Sequence, residues 1–142
     1  MCKNGVGGPG MLDAQACPCG SGNTYGHCCA PYLDAGERPT TATGLMRARY
    51  SAYVLARAAY VRHTWHVSTR PASLTLPGDE PIQWLGLQIV ATQAGEAQDD
   101  TGVVEFVARY KIRGKAGRLH EVSRFVQQDG QWLYLDGDIA EQ

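Results

Sequence analysis

Hydrophobic positions recur first with a helical period and later with a period of two, which divides the chain into a helical stretch followed by a sheet. From Thr40 the segment TTATGLMRARYSAYVLARAAYVRHTWH is rich in Ala, Leu, Arg and Met, and Thr40 or Thr41 is available to cap its start. Met46, Tyr50, Tyr53, Arg57 and Tyr60 follow the i, i+4, i+7, i+11, i+14 spacing of one helix face, so the helix lays an aromatic stripe on a neighbour and Arg57 interrupts it. Such a stripe is core packing with hydroxyls at its edge. The helix is expected to break or turn near Ala59 to Tyr60, ahead of a second helical piece that reaches Trp65. Arg70-Pro71 ends it.

Beyond the loop PASLTLPGDEP the pattern alternates. Trp84 to Ala91 reads as a strand. From Val103 to Ile112 the side chains of Val104, Phe106, Ala108, Tyr110 and Ile112 share one face, with Glu105, Val107, Arg109 and Lys111 on the other. A turn over Gly114 to Gly117 leads into Leu119 to Gln127, and Asp129-Gly130 is a hairpin signal before Trp132 to Leu135. Helices followed by an antiparallel meander predict an α+β fold, with the helices packed on one face of a curved antiparallel sheet.

Composition narrows the class. At 142 residues, 44% hydrophobic and 19% charged, the chain is an ordinary globular domain with room for a small appendage. Collagen, coiled coil, wholesale disorder and a strongly charged nucleic-acid binder are excluded. No run approaches 18 apolar residues and the first residues lack the basic start and apolar core of a secretory signal, so no membrane span is expected and the reading is cytoplasmic. Residues 1–11 read as a disordered tail, with Met11 an alternative start and Cys2 a free, solvent-exposed thiol. Net charge is −1, yet no acid occurs from Arg38 to Gly78, where Arg38, Arg47, Arg49, Arg57, Arg62 and Arg70 all stand. Six arginines there either face an anion or form a solvated face whose field the acidic C-terminal half cancels.

Residues 12–40 are dominated by Cys, Gly, Pro and Asn, and Cys17-Pro-Cys19-Gly-Ser-Gly-Asn-Thr-Tyr-Gly-His-Cys28-Cys29 puts four of the five cysteines in one short loop. Thiolates at C-x-C and at an adjacent C-C can close around one ion with tetrahedral sulfur coordination, and a four-sulfur set suits Zn(II). Gly20 and Gly22 allow backbone angles that would aim N–H groups at the sulfurs, and Pro18 restrains the turn. The alternative is disulfide bonding, against which stand the missing secretory signal and the poor geometry of neighbouring cysteines. His27 adjoins the four cysteines but is not needed to complete the shell. This module has few large apolar side chains, so metal removal is expected to disorder it while residues 41–142 keep their strands.

The stretch C-P-C-G-S-G-x-x-Y-x-x-C-C matches the SEC-C motif and is similar to the zinc-binding tail of the bacterial secretion ATPase, where the last ligand is often His and here is Cys29. Together with GLMRARYSAYVLARAAYVRHTWHVSTRP, HEVSRF and QWLYLDGD, it resembles the bacterial YchJ family over roughly residues 15 to 138. The resemblance implies a SEC-C zinc module with one structural zinc ion, followed by a domain like nuclear transport factor two, in which a cone of helices packs on a strongly bent antiparallel sheet. The family's function is uncertain, so the resemblance speaks to fold and metal.

Trp65, His66, Ser68, Thr69 and Arg70, with Arg62 nearby, gather an aromatic, an imidazole, hydroxyls and guanidiniums where helix meets loop, and are candidates for the rim of an anion pocket. The same residues serve equally as turn caps and core. On the sheet, Glu105, His120, Glu121, Asp136 and Asp138 are candidates to converge on the cone's mouth for acid–base chemistry, or else to pair across strands with Arg109 and Arg124. No phosphate-binding glycine loop or nucleophile elbow occurs. The expectation is a noncatalytic binding or adaptor protein whose zinc module docks a macromolecule and whose cone holds a ligand, anionic in the reading that uses the arginines. The alternative is a small enzyme or sensor using His66 or His120. Oligomeric state is left open.

Overall fold

The computed structural model describes residues 13–72 and 82–139. The tail with Cys2 and most of the PASLTLPGDEP loop lie outside the described residues. A short 3-10 turn over Tyr25–His27 is followed by helices α1 (Ala30–Leu33), α2 (Ala42–Val54) and α3 (Ala58–His63). Four strands then form one antiparallel sheet in chain order, β1 (Ile82–Ala94), β2 (Thr101–Ile112), β3 (Lys115–Gln128) and β4 (Gln131–Ile139). The fold is α+β, helices on one face of a curved sheet, as the alternation predicts.

Helix α2 begins where the Thr41 hydroxyl accepts the Gly44 N–H at 2.9 Å. It ends earlier than the sequence suggests, at Val54, because Ala56 takes the left-handed conformation (φ 59°) and stops the helix without the usual glycine. Arg57 therefore falls outside the tyrosine stripe: it precedes α3 and its guanidinium pairs with Asp34 at 2.8 Å. The charge that does interrupt the stripe is Arg49, which shares the face of Met46, Tyr50 and Tyr53 and is 4% exposed.

The sheet curves because extra residues are inserted in its edge strands. Pairing of β1 with β2 slips between Trp84 and Gly86 and again between Ile89 and Ala91, and β3 with β4 slips between Arg124 and Phe125. Both tight hairpins are two-residue turns with positive φ at each central residue, Arg113-Gly114 and Asp129-Gly130. The first is shorter than the expected Gly114 to Gly117 turn. Gly117 lies instead within β3 opposite Tyr110, where a side-chain carbon would come 2.8 Å from the Tyr110 ring.

The inner sheet face supplies Val104, Phe106, Ala108, Phe125 and Trp132 to the core, against Leu45, Met46, Ala48 and Tyr50 of α2. Trp132 donates from Nε1 to the Thr40 carbonyl at 3.1 Å and fixes the start of α2 over β4. Eight of thirteen α2 residues are buried because the helix is covered on two sides, by the sheet and by the cysteine-bearing segment. Cys17, Cys19, Tyr25, Cys29 and Ala30 belong to the same core cluster as Leu45 and Phe106.

Candidate metal centre and cavity

The four sulfurs of Cys17, Cys19, Cys28 and Cys29 all lie within 4.8 Å of one another. Sγ of Cys19 and Cys28 are 3.5 Å apart and those of Cys28 and Cys29 3.9 Å, well beyond a disulfide's length of about 2.05 Å. An ion with sulfurs about 2.3 Å away in a tetrahedron would hold them about 3.8 Å from each other, so the set fits a metal. Gly20 (φ 77°) and Gly22 (φ 94°) provide the positive φ that bends the chain between the two cysteine pairs.

Charge at the sulfurs is offset differently from the expectation. The Gly20 N–H goes to the Cys17 carbonyl at 3.1 Å, not to a thiolate. The sulfurs meet side chains: Ser21 Oγ lies 3.0 Å from Cys28 Sγ, Ser51 Oγ 3.6 Å from Cys17 Sγ, and Arg47 Nη1 3.9 Å from Cys19 Sγ. Protons are shared unevenly in such a cluster. Hydrogen bonds from Cys17 and Cys29 hold the Cys19 thiol far below its ordinary pKa, whereas burial pushes Cys28 up to about 11. Four sulfurs this close could together hold one metal ion. His27 is exposed and hydrogen-bonds Thr24 Oγ1 through Nδ1 at 3.0 Å, outside the cluster.

Two links fasten this segment to the rest. Arg47 donates to the Cys19 carbonyl at 2.9 Å, and buried Tyr25 donates to Asp34, the partner of Arg57 at the head of α3.

Between α2 and the sheet lies a cavity of about 230 Å³, lined by Met46, Arg49, Tyr50, Tyr53, Trp65, Trp84, Phe106, Ala108, Leu119, Glu121, Ser123 and Tyr134. Of the residues singled out for a pocket, Trp65 and Glu121 line it. His66 turns into its own loop, its Nδ1 bonded to the hydroxyl and N–H of Ser68. Thr69 Oγ1 donates to the Leu135 carbonyl, Arg70 Nε to the Trp65 carbonyl at 3.0 Å and Arg62 Nη2 to the Ala72 carbonyl at 3.3 Å. This cluster caps a turn and docks it on β4. It does not form the cavity rim.

Glu105 and His120 are joined at 2.6 Å, but on the opposite face of the sheet. The reason is alternation: Val104 and Phe106 point inward, so Glu105 points away, and His120 stands between the inward Leu119 and Glu121. Arg124 pairs there with Asp136 at 2.6 Å and Asp138 at 3.0 Å, the latter lowering the Asp138 pKa. The polar groups that reach the cavity are Arg49, Glu121 and Ser123. Arg49 stacks its guanidinium 5.2 Å from the Trp65 ring centre and 4.6 Å from that of Tyr134, and burial lowers its pKa. Two sequence signals point to this pair: Arg49 three residues after Met46 and one before Tyr50, and Glu121 two residues after Leu119 and four before Phe125.

Comparisons with known proteins agree with this architecture. Residues 15–31 match the SEC-C motif, and residues 41–137 match the family described as "YchJ, middle NTF2-like domain". A UPF0225 protein of Chromobacterium violaceum is 51% identical over 128 residues, covering 88% of this chain and 93% of the relative, and one of Ralstonia nicotianae is 49% identical over 93% of this chain and 96% of its own. The solution structure of a SEC-C motif containing protein from Rhodopseudomonas palustris superimposes with a TM-score of 0.75 at 30% identity, covering 88% of this chain and 98% of that one. A crystal structure of another from Psychrobacter arcticus gives 0.71 at 26% identity, covering 93% and 86%. With the motif on the cysteine cluster and the domain match over helices and sheet, the chain belongs to the YchJ (UPF0225) family of SEC-C motif proteins.

Proposed function

We propose that the protein is a noncatalytic binding protein in which one zinc ion on Cys17, Cys19, Cys28 and Cys29 holds the N-terminal module against α2 and the cavity between α2 and the sheet takes up a small ligand. The observation that carries this reading is the four-sulfur cluster with three of its cysteines buried in the domain core. Four thiolates complete a tetrahedral shell and leave no coordination position for substrate, which is the arrangement of a structural rather than a catalytic zinc. Zinc here lends order, and the residues do the rest: Arg47 and Tyr25 lock the module to α2 and α3. The outer side of the module, with Gly22, Asn23 and His27 exposed, stays free to dock a macromolecule.

Metal analysis of protein purified without added zinc tests the first part, with one zinc per chain expected. A pull-down from native lysate tests the docking. A partner captured by the parent and lost with Cys28→Ser supports it, and equal capture by both counts against it.

A second reading, a small enzyme or sensor, is favoured by the bonded His120–Glu105 pair. Its position across the sheet from the cavity counts against it, and no imidazole is among the described residues that line the cavity.

A further inference from the structure

Arg49 sits 4% exposed in the cavity wall with only part of its guanidinium engaged. Nη1 donates to the Val61 carbonyl at 2.7 Å and to Thr64 Oγ1 at 2.8 Å, which uses both of its hydrogens. Among the described residues Nε and Nη2 make no hydrogen bond. That side-on edge is one of the two that grip a carboxylate with parallel bonds. Its planar face is already stacked on Trp65 and Tyr134, so the edge is held in place before anything binds.

Glu121 lines the same cavity from β3. Its Oε2 accepts from Ser123 Oγ at 2.8 Å and Tyr134 Oη at 3.0 Å, which leaves Oε1 without a partner among the described residues. No ion pair joins Glu121 to Arg49, although each lies in the other's field. A buried cation and a half-buried anion kept apart make a cavity that is neutral in sum and polarised across its width. A net anion would meet Glu121 and a net cation would meet Arg49. A molecule with one charge of each sign satisfies both.

We propose that the cavity binds a free α-amino acid with a large apolar or aromatic side chain. Its carboxylate takes the Nε/Nη2 edge of Arg49, its ammonium takes Glu121, and its side chain lies on Trp84 and Phe106. The proposal rests on the reading that the cavity holds a small molecule and names which one. The cavity volume of about 230 Å³ is below the ~300 Å³ where drug-sized pockets begin, which suits an occupant of this size.

Trp65 and Trp84 in the wall make tryptophan fluorescence the readout, with calorimetry to confirm it. The full-length zinc-loaded protein is titrated with L-phenylalanine, with 3-phenylpropionate, which lacks the amine, with phenethylamine, which lacks the carboxylate, and with neutral indole. Saturable binding of L-phenylalanine is expected, with each singly charged analogue weaker by on the order of tenfold or more. Glu121→Gln, which keeps its bonds to Ser123 and Tyr134, should lose that preference over 3-phenylpropionate. Arg49→Lys, which keeps the charge and loses the fork, should weaken L-phenylalanine at unchanged zinc content. Equal binding of an analogue lacking one charge overturns the proposal. Binding of indole alone overturns it and leaves the ligand-binding reading standing, whereas no binding of any of the four overturns both.

Discussion

Arg47 Nη1 donates to the carbonyl of Cys19 across 2.9 Å, so the middle of α2 holds the loop between the cysteine pairs. The link makes the order of the metal loop depend on the helix, and that of the helix on the metal. Arg47→Ala removes a half-exposed charged hydrogen bond of about 1 kcal/mol. The variant should therefore unfold a few degrees lower, at about 2–4 °C per kcal/mol, and release zinc to a chelator faster than the parent. Unchanged release would show that the bond does not support the site.

Chelation of the whole protein extends that test. Composition alone predicts an N-terminal module that disorders while the sheet stays intact. The structure places Cys17, Cys19, Tyr25 and Cys29 in one core with Leu45, Met46 and Phe106, so removal of zinc should also lower the thermal midpoint of the strands. Far-ultraviolet circular dichroism at room temperature should keep its strand signal while the melting curve shifts down by several degrees. A melting curve that does not move would restore the picture of two independent parts.

How much of this was legible in the sequence follows element by element. The hairpin at Asp129-Gly130 is readable because both residues accept positive φ, whereas Arg113-Gly114 is hidden by an arginine at a position that favours Asn or Asp. The end of α2 is hidden for the same kind of reason, since Ala56 does what a glycine usually does. The cysteine cluster is readable because its spacing is local. The cavity is not, because it joins Arg49 on α2 to Glu121 on β3, and the neighbouring Arg57, His66 and His120 offer the same chemistry until pairing and helix phase exclude them.

Gly137 tests the placement of Glu121. It stands opposite Ser123 on β4, and a side-chain carbon there would overlap Glu121 Oε2. Gly137→Ala should cost about 1–3 kcal/mol in chemical denaturation, as overpacking does, and should reduce occupancy of the cavity. Gly86→Ala is the control: a carbon there meets nothing within 4 Å and φ is not positive, so stability should hold within about 0.5 kcal/mol. A tolerated Gly137→Ala would mean that Glu121 is not confined as described.

Trp132 anchors α2 through both its ring and its bond to the Thr40 carbonyl. Trp132→Phe keeps most of the apolar burial and leaves that carbonyl short of a donor. The expected loss is about 1–2 kcal/mol, against about 3–5 kcal/mol for Trp132→Ala. Equal losses for the two variants would mean that the ring's volume contributes nothing beyond the hydrogen bond.

X-ray absorption at the zinc edge of the purified protein reads the coordination shell of the four cysteines itself. A first shell of four sulfurs at about 2.3 Å with no nitrogen or oxygen ligand is expected, in protein that contains one zinc per chain. A shell with fewer sulfurs, an imidazole or water ligand, or protein that carries no zinc and has its four cysteines joined in disulfides would contradict it.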